Sequence, residues 1–151
     1  MLMLSLPCGK RIAAYMPSQI TVRAVVSYYA PVDLIGGYEE VPVPDPIGVR
    51  KVLETFVGGP PSKLREPYLQ ASPMTYATHP LPATLLMQGG RDHIVKPRFA
   101  RELYQKLRAS GTQAVLLEIP WAEHAFDFVF QGLGNREALD YNERFLAWAM
   151  K

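Results

Sequence analysis

Three things are scarce in this chain: long hydrophobic runs, an excess of charge of either sign, and cysteine. The longest apolar stretch near its start, Met1 to Pro7, falls far short of the roughly 20 residues a membrane-spanning helix needs. No basic segment precedes it as in a secretory leader, so neither a span nor a targeting segment is expected. The 16 Lys and Arg and 14 Asp and Glu are interspersed and leave a formal charge of only +2, which argues against a face built for nucleic acid or an anionic membrane. One cysteine excludes an internal disulfide and fits a reducing compartment, so a cytoplasmic setting is expected. Repeats and low-complexity tracts are missing as well.

What is present is enough for one domain. The chain has 151 residues and 48% hydrophobic content, which can bury a sizeable core, and its 14 prolines and 11 glycines divide it into short elements. Met1 to Leu6, the Pro7-Cys8-Gly9 turn and Lys10 to Met16 read either as strand, turn and helix or as a frayed terminus. Val22 to Tyr28 is rich in β-branched and aromatic residues with too few polar positions for one face to be wet, the composition of a central parallel strand. Asp33 follows it, as a carboxylate expected to cap a turn or helix. Leu34 to Pro46, with Gly36, Gly37 and prolines at 42, 44 and 46, reads as a loop. Ile47 to Val57 has apolar residues at helical spacing and is stopped by Gly58 and Gly59. A short helical turn starts near Ser62, and Ala71 to Pro82 is expected to be extended, with His79 a loop histidine.

The most regular part lies further on. Ala83 to Met87 is a strand, Pro97 to Ala109 an amphipathic helix opened by proline and closed by Gly111, and Ala114 to Ile119 a third strand. A crossover helix of that length is what joins two parallel strands. Arg136 to Met150 supplies a closing helix. Asp92 follows the second strand of the chain and His124 the third. Polar side chains just past the carboxyl ends of neighbouring parallel strands converge on one crevice. A carboxylate that accepts an imidazole N–H leaves the other ring nitrogen free as a general base, so Asp92 and His124 read as an acid and base pair in want of a nucleophile.

These residues, taken together, carry a family resemblance. VRAVVSYYAPVD (Val22 to Asp33), the FVGG and ASPMTY segments, LLMQGGRDHIV (Leu85 to Val95), Leu103 to Gly111 and HAF (His124 to Phe126) resemble the C-terminal half of esterase and lipase members of the α/β-hydrolase superfamily. The resemblance runs from Val22 to the end and implies that Asp92 is similar to the family's catalytic acid and His124 to its base. It also implies an α/β fold in three layers, a mostly parallel sheet of three or four strands flanked by helices. The whole chain is then read as a single domain, residues 1–21 an atypical segment and residues 22–151 the truncated hydrolase half. A small ester is the implied substrate, and neither cofactor nor metal is called for.

The departure from the family is equally specific. Its G-x-S-x-G nucleophile elbow and its H-G-G-G-type oxyanion loop are both missing from this sequence. Before Val22 only LSLPCGK stands where the elbow belongs. Cys8, close to Lys10 and Arg11, is either a thiolate nucleophile or an inert cysteine in a short turn, and Ser5 is a weaker candidate inside an apolar run. Two functions remain open: a carboxylic ester hydrolase whose nucleophile is Cys8, Ser5, a water or a partner's group, and a catalytically inactive interaction module. Without the preceding strands the Val22 strand becomes an exposed edge, from which a homodimer or higher oligomer is expected.

Overall fold

The computed structural model of the protein describes residues 21–151. The readings made for Met1 to Leu6, Ser5, Cys8 and Lys10 to Met16 therefore lie outside the described residues. Three parallel strands form one sheet in the order β1-β2-β3: β1 Ala24–Tyr28, β2 Ala83–Gly89 and β3 Ala114–Ile119. The register pairs Val26 with Leu85 and Leu86 with Leu116. The middle strand β2 is buried from Thr84 to Gly89, as a run covered on both faces must be. β1, composed like a central strand, is half-buried throughout and forms one edge of the sheet among the described residues.

The residues group into two compact units, and Val22–Ala30 with Ala77–Lys151 make up the one that contains the sheet. Within it, helix α4 (Pro97–Ala109) connects β2 to β3 and buries Phe99, Ala100, Leu103 and Leu107, the stripe its periodicity forecasts. Helix α5 (Leu133–Ala149) packs against all three strands. It begins three residues before the expected Arg136, because Gly132 takes the cap position. Leu85 and Met87 of β2 form a core with Ala138 and Phe145 of α5. Strand alternation then sends Thr84, Leu86 and Gln88 to the opposite face. Three parallel strands flanked by helices are the α/β architecture expected.

The other unit contains Pro31–Tyr76. Here two readings need correction. Leu34 to Pro46 is not wholly a loop: Leu34–Glu39 is a short helix, α1. Asp33 sits at its N-cap, and its Oδ1 accepts from the Ile35 and Gly36 N–H groups at 3.1 and 3.0 Å, which offsets the two glycines inside the helix. Pro73–Tyr76 is a 3-10 turn rather than extended chain; Met74 N–H donates to the Val32 carbonyl and Thr75 Oγ1–H to that of Leu69. Helix α2 (Val49–Val57) ends at Gly58 with φ 104°, the left-handed stop its glycine pair forecast. Helix α3 (Arg65–Ala71) starts at Arg65, three residues after Ser62. Leu34, Ile35 and the fully buried Tyr68 make this unit's core. No helix among the described residues is long and apolar enough to cross a membrane.

Candidate active site

The site is built where β2 and β3 end. Past β2 the chain turns sharply: Gly90 N–H donates to the Ile119 carbonyl at 2.8 Å and Arg91 N–H to that of Ala122 at 2.9 Å, so the turn is sewn to the loop after β3. The approach is too close for a side chain. A Cβ on Gly89 would stand 2.5 Å from the Ala122 carbonyl oxygen and 2.6 Å from that of Glu123. Glycine here is a requirement of spacing rather than of dihedral freedom.

This turn delivers Asp92. Its side chain is fully buried, and both oxygens are occupied. Oδ1 accepts from the Ile94 and Val95 backbone N–H groups at 2.9 and 2.8 Å, and Oδ2 accepts from the Gln88 amide at 2.8 Å. The same Oδ2 lies 2.8 Å from His124 Nδ1. In the neutral tautomer whose Nδ1 carries the hydrogen, Nδ1 donates it to the carboxylate and Nε2 keeps its lone pair. The imidazole side chain is a quarter exposed, whereas the acid it meets is fully buried. The two residues picked out from the sequence are therefore brought together across 32 positions of chain.

Several residues that the sequence reading passed over belong to the same cluster. Tyr29, just past β1, has φ 35°, a left-handed conformation rare for a bulky side chain. Its ring lies 4.5 Å from the His124 ring, tilted by 60°, and its hydroxyl donates to Asp127 Oδ1 at 2.7 Å. Burial and then the Asp127 bond push its phenol up to about 12. The neighbouring Tyr28 is raised too, by burial first and then by the Asp127 charge. Asn135, at the start of α5, donates its amide to the Asp127 carbonyl at 2.6 Å. Ala125, at φ 58°, bends the chain between His124 and Phe126. Beside the buried pair lies an exposed one: His93 Nδ1 is 2.6 Å from Glu123 Oε2. Only Gln88 carried a sequence signal, a lone amide in an otherwise apolar strand. His79 is exposed and meets only Thr78 Oγ1. Among the described residues no group of three or more His, Cys, Asp or Glu side chains is placed to hold a metal ion.

Relatives of known description agree with this architecture. The chain is 33% identical over 81 residues to "Probable carboxylic ester hydrolase LipM" of Mycobacterium tuberculosis, covering 53% of this chain and 19% of that one. It is 37% identical over 65 residues to "Esterase LipC" of the same organism, covering 42% and 16%. The chain thus spans less than a fifth of the length of either. Among solved structures, a puromycin hydrolase superposes with a TM-score of 0.73 at 20% identity over 88% of this chain and 19% of that one. The propionate-bound esterase Est2 of Thermogutta terrifontis gives 0.62 at 15% identity, covering 88% and 47%. At such identities these two establish the fold alone, the α/β-hydrolase fold. A family model matches residues 5–107, more than half of the chain, and on that match the chain belongs to the BD-FAE family.

Proposed function

We propose that this chain is the acid–base half of a carboxylic ester hydrolase, in which His124 is the general base and Asp92 the residue that orients it. The observation that carries the reading is the 2.8 Å contact between His124 Nδ1 and a fully buried carboxylate. An imidazole so held presents Nε2, which takes a proton from the attacking group as the tetrahedral intermediate forms and returns it to the leaving alcohol. Three further donors to Asp92 keep its negative charge opposite the imidazolium that develops. The nucleophile in this reading is Cys8, Ser5, a water or a group of a partner subunit. In the same reading residues 22–151 are the C-terminal half of a hydrolase domain, its single cysteine fits a cytoplasmic setting, and copies of the chain pair through the β1 edge.

The test is hydrolysis of short-chain p-nitrophenyl esters by the purified chain beside the variants His124→Ala, Asp92→Asn and Cys8→Ala. Loss of turnover in the first two is the expected result. Turnover indifferent to His124→Ala sinks the reading, and a wild-type chain without turnover favours the inactive interaction module. A sharply monomeric mass in light scattering at micromolar concentration removes the oligomer from it.

A further inference from the structure

A single hydrogen bond leaves an imidazole one freedom: the ring can swing about the axis through Nδ1 and its acceptor and carry Nε2 in an arc. The Asp92 contact does not remove that freedom. The side chain that stands against the ring is Tyr29, with ring centroids 4.5 Å apart at an interplanar angle of 60°. We infer that Tyr29 is a positioning residue for His124, and that it acts through its ring, which blocks the swing of the imidazole, and through its hydroxyl, which ties down the loop that carries it. The inference rests on the ester-hydrolase reading for its catalytic consequence only.

Several observations make Tyr29 more than a neighbour. Its backbone is held at φ 35°, a strained conformation that a bulky residue keeps only when surrounding contacts over-determine it. Those contacts are visible: the hydroxyl donates to Asp127 Oδ1 at 2.7 Å, and the Phe126 ring meets the Tyr29 ring edge to face at 5.4 Å. Asp127 is itself anchored from the other side, its carbonyl accepting from Asn135 Nδ2 at 2.6 Å. The residue before the histidine is held as well, since the Glu123 carbonyl lies where Gly89 allows no side chain. The loop of residues 122–127 is thus held at both ends. The hydroxyl is protonated, hence a donor to Asp127, across the neutral range as any tyrosine is.

The Nδ1–H signal of His124 in ring-nitrogen proton correlation spectra of the full chain reads the position of the ring without requiring turnover. In the wild type this hydrogen, held between Nδ1 and Asp92, should exchange slowly with water. Tyr29→Leu should speed its exchange by about tenfold or more while the amide spectrum stays that of a folded protein. Tyr29→Phe, which keeps the ring and loses the tether, should give a smaller acceleration, and Asp127→Asn, which keeps an oxygen acceptor for the hydroxyl, should stay near the wild type. In the ester assay Tyr29→Leu should lower kcat by about tenfold with KM within about twofold, the pattern of a misplaced base. Exchange within about twofold of wild type in Tyr29→Leu overturns the inference. If that variant unfolds, unchanged exchange in both Tyr29→Phe and Asp127→Ala overturns it instead. A wild type with slow Nδ1–H exchange but no ester turnover removes the hydrolase reading and leaves the positioning role to be decided by exchange alone.

Discussion

Two carboxylate and imidazole pairs bridge the same two loops, one residue apart and in opposite senses. Asp92, after β2, reaches His124, after β3; His93, after β2, reaches Glu123, after β3. The exposed pair has the shorter contact, 2.6 Å against 2.8 Å. Contact length is a poor guide to what each contributes. The side chains of His93 and Glu123 are 52% and 54% exposed, so water screens their attraction and competes for both partners, and such pairs are worth about 0–1 kcal/mol. Asp92 is fully buried and satisfies four donors, and the Gln88 amide and the Ile94 and Val95 N–H groups lose that acceptor if it is removed. The difference between the pairs lies in what is stranded when one partner goes.

The largest effect expected follows from that asymmetry. Asp92→Ala should lower unfolding stability in urea by about 3 kcal/mol or more, because the Gln88 amide and the Ile94 and Val95 N–H groups each lose a buried acceptor at about 1–3 kcal/mol. A loss below about 1 kcal/mol would place the buried pair in the same class as the exposed one. Gln88→Leu, which removes one donor while leaving the carboxylate its other three, should cost about 1–2 kcal/mol by the same measurement. It should also reduce ester turnover if His124 is the base.

A smaller effect separates the two regions by pH. The Tyr29 phenol is raised from 10.0 to about 12 in the fold, so the folded chain holds a proton there that the unfolded chain releases. That contribution to stability is complete below pH 10 and is lost as pH rises through about 12. Tyr29→Phe should reduce the alkaline decline in chemical denaturation followed across the same window, leaving the part due to other raised phenols such as Tyr28, whereas Glu123→Gln should leave it intact. The smallest effect expected is that of Glu123→Gln itself: within about 1 kcal/mol of wild type and shrinking further in high salt. A penalty that matches Asp92→Ala would break the comparison.

How far each region could be read beforehand follows the same division between local and distant causes. The three strands and α4 were legible because their apolar residues repeat at the spacing of the element itself; Phe99, Leu103 and Leu107 are buried as their helical stripe requires. Asp92 and His124 were legible from their place past strand ends. Helix α1 was not, since Gly36, Gly37 and the prolines after it argue for a loop, and only the cap from Asp33 tips the balance. The 3-10 turn at Pro73–Tyr76 hangs on bonds to Val32 and Leu69, neither of which leaves a periodic trace. Tyr29 was hidden for the same reason. A tyrosine after a strand reads as the strand's last residue, and its left-handed backbone comes from Phe126, Asp127 and His124, about a hundred residues on.

The crossover from β2 through α4 to β3 also sets an order in time. Asp92 and His124 meet only after a 32-residue segment has closed on itself and its two strands have found their parallel register. Parallel pairing of this kind brings no reward until the loop-closure entropy has been met, so it forms late and slowly compared with the helix inside it. During refolding α4 is therefore expected to gain amide protection before the β2–β3 pairing does, an order that pulsed hydrogen exchange reads directly. The contact between His124 Nδ1 and Asp92 would then report that closure in time as well as the finished site.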